Sequence, residues 1–133
     1  MIIDRIRNLE EFREFYNTHK MPNQYDFDWL VNNPNLFCLY DDGGTSPLPS
    51  SQGEGVLCGY ITVQREEGVL TLSGASKRKN MQENIRFIKL VCDAFDEDMY
   101  SFTTVRAAIA VLRKAGFKKA DNIDKYVRYK NGK

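Results

Sequence analysis

The sequence predicts an α/β (α+β) fold: a mixed, mostly antiparallel sheet flanked by helices, in the order β-α-α-β-β-β-α-β-α-β. Three observations predict it. The apolar runs "LFCLY" (36–40), "VLCGYITVQ" (56–64) and "VLTLSGA" (69–75) have strand length and are bounded by turn formers. Between and around them the apolar period switches to helical spacing, most clearly at Met81, Ile85, Ile88, Cys92 and Phe95. The 133 residues, 42% hydrophobic and 28% charged, suit one domain spanning 1–133 with one core.

Each element has a local cause. "MIIDRI" opens apolar and β-branched, as a short first strand does. Asn8 can cap the helix of "NLEEFREFYNTH", whose Leu9, Phe12 and Tyr16 share a face and whose first turn is acidic, as the helix dipole prefers. Pro22 stops it, and "QYDFDWLVNN" forms a shorter second helix that "NPN" breaks. Strand 36–40 follows. "DDGGTSPLPSSQGEG" (41–55) lacks periodicity and reads as a flexible loop or insertion. Strands 56–64 and 69–75 join through "REEG" as an antiparallel pair. A helix runs from Lys77 to "DEDM", a strand covers 99–105, and "RAAIAVLRKAG" is a helix with Arg113 and Lys114 in its last turn and Gly116 at C′. "FKKADNIDKYVRYK" carries one or two closing strands, centred on Tyr126, Val127 and Tyr129.

Composition excludes several classes. No apolar run approaches the roughly 18 residues of a membrane span, and the acidic N-terminal stretch lacks the apolar segment of a signal peptide. Cys38, Cys58 and Cys92 are odd in number and far apart, so they are expected to be reduced and buried, in an intracellular (cytoplasmic) setting. His19 is the only histidine, which argues against zinc; it is expected at the surface. Asp93, Asp96, Glu97 and Asp98 lack calcium-loop spacing and read as a solvated helix end, so no metal is expected. Charge is uneven: residues 113–133 hold eight cations against two acids, a net +6, which leaves nucleic acid as a possible partner.

The stretch "TLSGASKRKNMQENIRFIKLV" (71–91) raises the functional question. A strand, a basic turn and a helix start are a common place to bind an anion, because the helix N-terminus offers free N–H groups. Lys77, Arg78 and Lys79 could hold a phosphate or an acidic partner surface; as basic residues at a helix start they oppose the dipole. Gly74 marks either a bulge that splays the strand or a strand end. Tyr25, Phe27 and Trp29 are expected as half-buried core.

The element order, with "AAIAVLRKAGFKK" and its Gly116-Phe117 helix end, resembles the GCN5-related N-acetyltransferase (GNAT) family. That resemblance implies a GNAT-like sheet whose fourth and fifth strands splay to admit acetyl-CoA, with Ser73, Gly74, Ala75, Arg78, Lys79, Asn80 and Met81 at the cofactor-binding positions. It also shows where this chain departs. The two glycine positions of the family's pyrophosphate turn fall on Met81 and Glu83, whose side chains would occupy the diphosphate's space; Glu83 would add a repulsion of about 3 kcal/mol at 5 Å and an effective dielectric near 20. The family's frequent tyrosine acid falls on Leu112 and its asparagine on Val105, and leucine cannot protonate a leaving thiolate. No catalytic residue and no cofactor are therefore expected, acetyl-CoA entering only if the chain is an active N-acetyltransferase.

The run Leu72-Ser73-Gly74, Lys77-Arg78-Lys79 and the Gly116 helix end also look like the small GNAT-like internal virion and head-assembly proteins of short-tailed phages. This implies a non-catalytic protein of virion assembly or DNA ejection, with other virion proteins as partners.

Overall fold

The computed structural model describes residues 2–19, 25–40, 56–76, 81–120 and 124–130. The elements are β1 (Ile2–Asp4), α1 (Leu9–Thr18), α2 (Phe27–Asn32), β2 (Leu36–Tyr40), β3 (Leu57–Glu66), β4 (Val69–Ser76), α3 (Met81–Asp93), β5 (Met99–Phe102), α4 (Arg106–Lys114), β6 (Lys118–Lys119) and β7 (Lys125–Arg128). Among the described residues the fold is α+β, with one seven-stranded, mostly antiparallel sheet and four helices. Sheet order is β1-β2-β3-β4-β5-β7-β6, and β4–β5 is its parallel junction.

Strand alternation divides the core into two layers. Phe12, Phe15 and Leu30 of α1 and α2 pack on the sheet face bearing Cys38, Tyr40, Tyr60 and Ala75. Ile85, Ile88 and Cys92 of α3, with Leu112 of α4, pack on the face bearing Ile61, Val63, Leu70 and Leu72. The helical period at 81, 85, 88, 92 and 95 is thus realised as one packed face, with Met81 at its open end.

Local chemistry fixes the ends. Asn8 caps α1, its Oδ1 accepting from the Glu11 amide at 2.9 Å. Asn33 ends α2 and donates its side-chain amide to the Thr62 hydroxyl, joining this helix to β3. Gly116, at φ +104, closes α4: its N–H donates to the Arg113 carbonyl at 3.1 Å, and the Phe117 N–H reaches the Leu112 carbonyl at 3.0 Å. Arg128 donates Nε to the Ala115 carbonyl (3.0 Å) and pairs with Asp93 (3.1 Å), so β7 holds the ends of α3 and α4 together.

Strand 36–40 matches its sequence expectation to the residue. β3 runs two residues beyond 64, into "RE", because Arg65 and Glu66 continue the ladder to Leu70 and Val69. β5 ends at Phe102 rather than 105: the Thr103 amide turns to the Asp124 carbonyl (3.0 Å), and its Oγ1 accepts from the Val105 amide at the start of α4. Tyr129 lies just past β7. The 41–55 segment lies outside the described residues.

Candidate functional site

The site begins where the parallel junction stops. β4 and β5 are matched only at Leu70–Met99 and Thr71–Tyr100. At the next position the Leu72 carbonyl accepts from the Ser101 hydroxyl (2.9 Å), a side chain standing in for a main-chain rung. Alternate residues of a strand aim their N–H and C=O to the same side, so Gly74 and Ser76, two and four residues on from Leu72, turn theirs toward a gap in which β5 offers no pairing residue. On its other side β4 stays in continuous register with β3 as far as Ser76–Gly59.

Gly74 is therefore neither a bulge nor a strand end. A Cβ on it would lie 2.1 Å from the Tyr60 carbonyl oxygen and 3.1 Å from Ile61 Cα. Only glycine permits this approach of β3 to β4 along the rim of the gap.

The gap is a cavity of about 500 Å³, within the range of small-molecule sites. It passes through the plane of the sheet, from Tyr25, Thr62 and Ser73 on the α2 side to Leu72, Asn84 and Phe87 on the α3 side. Small residues keep it open, notably Gly74 and Ala75 on β4 and Ala107 and Ala108 on α4. Among the described residues the buried polar ones are Asn33, Thr62, Thr71, Asn84 and Ser101, and all but Asn33 line this cavity. Thr62 is held by Asn33 and Ser101 by the Leu72 carbonyl; a polar group buried without a partner is the costly case. Thr71 is 2% exposed, and its hydroxyl has no hydrogen-bond partner among the described residues.

At the α2 end stands a polar cluster. The Tyr25 hydroxyl donates to Glu66 (2.8 Å) and accepts from Gln64 Nε2 (2.6 Å). Burial, reinforced by the Glu66 carboxylate, pushes its pKa up to about 12, so it stays protonated at neutral pH. The Trp29 ring, 41% exposed, stacks on Tyr25 at 4.5 Å between centroids. Phe27 packs between Phe12 and Tyr16. Tyr25 and Phe27 are half-buried and pack against the α1–α2 core as expected, Tyr25 also lining the cavity, whereas Trp29 is exposed and covers Tyr25.

The α4 wall has a different character. Val105, Ala108, Val111 and Leu112 present hydrocarbon to the cavity, and Leu112 is 4% exposed. No side chain of this helix could give or take a proton there.

Ser73, Gly74, Ala75 and Met81 all line the cavity. Lys77, Arg78, Lys79 and Asn80 lie outside the described residues, so the basic turn receives no structural account. The diphosphate space assigned to Met81 and Glu83 borders residues 77–80, which lie outside the described residues. Met81 sits at the rim of the cavity, 38% exposed, and Glu83 is not part of the cavity lining. Glu83 nonetheless holds one buried carboxylate oxygen without a hydrogen-bond partner among the described residues.

Sequence reading missed Thr71, Asn84 and Ser101. Their signal was a polar residue inside an otherwise apolar strand or helix face. His19 is half-buried, its ring 4.4 Å from that of Phe15. Cys38, Cys58 and Cys92 are buried and in no disulfide. The acidic end of α3 is taken up in ion pairs: Asp93 with Arg128, Asp96 with Lys130 and Glu97 with Arg65. No described helix is long and apolar enough to cross a membrane. No protein-family model matches the chain, and no curated protein is significantly similar to it.

Proposed function

We propose that this chain is a non-catalytic GNAT-like protein acting in phage virion or head assembly or in DNA ejection, with other virion proteins as partners, present in the host cytoplasm and the virion. The α4 wall is the observation that carries the non-catalytic half. Where the family resemblance calls for a proton donor, Leu112 and Val105 offer only hydrocarbon, and no neighbouring residue of α4 replaces it. The phage half rests on the likeness of "LSGASKRK" and the Gly116 helix end to internal virion and head-assembly proteins.

A second function, acetyl-CoA-dependent N-acetyltransferase, is favoured by one specific observation: the cavity at the β4–β5 gap is open. A pantetheine arm fits its chemistry. Gly74 and Ser76 would offer main-chain groups to its amides, and the unpartnered Thr71 hydroxyl lies in the same lining. The diphosphate end would fall at residues 77–80, outside the described residues. Without a donor on α4, the protonated Tyr25 hydroxyl is the best-placed acid at the opposite end.

Two measurements separate these functions. Acetyl-CoA at 100 times its dissociation constant raises stability by about 2.7 kcal/mol if it binds at all. Acetyl transfer to amines that is abolished by Ala108→Phe, which fills the cavity, would overturn the non-catalytic proposal. For the assembly role the expected result is the protein's detection in purified virions or head intermediates of the encoding phage. Its absence from both would remove that half.

A further inference from the structure

The four ion pairs among the described residues use Arg7, Arg65, Arg128 and Lys130. They leave a different set of cations unmatched. From Met99 to Ala120 the chain carries Arg106, Arg113, Lys114, Lys118 and Lys119 and not one acid. All five are exposed, and none is in an ion pair among the described residues. The segment is continuous along the chain: α4 leads directly through Gly116 and Phe117 into the edge strand β6.

Ordinary structural reasons account for only part of this set. Arg113 and Lys114 sit in the last turn of α4, where the helix dipole favours cations. Lys118 and Lys119 lie on an edge strand, where lysine discourages unwanted strand pairing. Arg106 has neither excuse. It occupies the first turn, where the dipole opposes it, and no acid is present in that turn. Arg106 and Arg113 are seven residues apart, hence two turns and about 10 Å along one side of the helix.

We propose that the α4–β6 surface binds the phosphate backbone of a nucleic acid without sequence preference. A polyphosphate is favoured over an acidic protein because of what the surface lacks. Protein interfaces are built around an apolar core depleted of charge. Among the described residues the exposed large apolar side chains are Leu9, Trp29, Val56, Met81, Leu90, Phe102 and Tyr129, none of them on α4 or β6. Charge without an apolar centre suits a backbone contact, in which cations displace condensed counterions. None of the five cations lines the cavity, so this proposal does not stand or fall with the assembly or acetyltransferase functions.

The test is fluorescence anisotropy of the full chain with labelled duplex and single-stranded DNA oligonucleotides, titrated in salt. With about four phosphates contacted, affinity for duplex should fall about 100-fold between 50 and 200 mM salt. Arg106→Gln with Arg113→Gln, and separately Lys118→Gln with Lys119→Gln, should each weaken binding about tenfold and flatten the log–log slope by about 2. Both pairs are exposed, and circular dichroism checks that the fold is kept. The single-strand arm tells which form is preferred; binding of either form with this salt dependence supports the proposal. A slope shallower than −1, or double variants that bind like the parent, overturns it. Competition by polyglutamate as effective as that by DNA of equal charge also overturns it, in favour of an acidic protein partner.

Discussion

Gly74→Ala tests the close approach that shapes the rim of the cavity. The added methyl would stand 2.1 Å from the Tyr60 carbonyl oxygen, and real Cβ atoms essentially never come within 3.0 Å of a neighbour. One strand must therefore retreat by about 1 Å. The obstacle is backbone, paired on both sides: Tyr60 is matched to Cys38 on β2 and to Ala75 on β4. Because no flexible side chain can yield, the cost belongs at the upper end of overpacking penalties, about 3 kcal/mol. At about 2.1 cal/mol/K per residue, unfolding 133 residues carries an entropy near 280 cal/mol/K, so 1 kcal/mol moves Tm by about 3.6 °C. Gly74→Ala should lower Tm by about 10 °C. Gly59→Ala, where the nearest atoms are the Ala75 oxygen and Ser76 Cβ at 3.0 Å, needs only a small shift and should lower it by about 4 °C. Differential scanning calorimetry of both variants decides the matter. Equal losses, or a Gly74→Ala protein melting within 3 °C of the parent, would refute the steric account of the rim.

Three further outcomes follow from the same structure. Ser101→Ala removes the donor to the Leu72 carbonyl and should cost about 1–3 kcal/mol in urea unfolding, whereas Ser101→Thr should recover part of it; equal stability of parent and alanine variant would show that water replaces the hydroxyl. Burial raises Cys38 and Cys92 from 9.0, and Tyr25 and Tyr40 from 10.0, each to about 12. The folded state therefore keeps protons that the unfolded chain releases from about pH 9 upward, so stability is full below pH 9 and declines as pH approaches 12; a urea midpoint constant from pH 8 to 11 would contradict this. The same burial predicts that all three cysteines resist a thiol reagent at pH 8 and react together on unfolding. Fast labelling of the native protein would count against the packing described for β2, β3 and α3.

What was legible in the sequence depended on how local its cause was. The run "LFCLY" is apolar throughout because β2 lies between β1 and β3 with helices over both faces, and its limits could be read directly. The α4 stop was equally plain, since Gly116 supplies a positive φ that few other residues tolerate. The end of β5 was not legible, because it is set by where β4 turns away and by a turn at Thr103 that pairs with Asp124. The cavity itself is a tertiary product. Thr62, Thr71, Asn84 and Ser101 are spread over forty positions, each ordinary in its own element, and only the splay of two strands brings them together. Of Met81 and Glu83 only the side-chain bulk was legible: that Met81 lines the cavity and Glu83 does not depends on the direction in which the first turn of α3 presents them.

Two main-chain rungs, Leu70–Met99 and Thr71–Tyr100, and the Ser101–Leu72 side-chain bond tie β1–β4 to β5–β7–β6 across the described sheet. Mechanically this is a seam, and the packing of α3 against α4 behind it serves as the hinge plate. Whatever extended molecule lies along Gly74 and Ser76 would extend the seam and lock the two leaves together. Amide exchange at Leu72, Gly74 and Ser76 should then slow on binding far more than in the β2–β3 ladder, so occupancy could be followed even for a partner whose chemistry is silent.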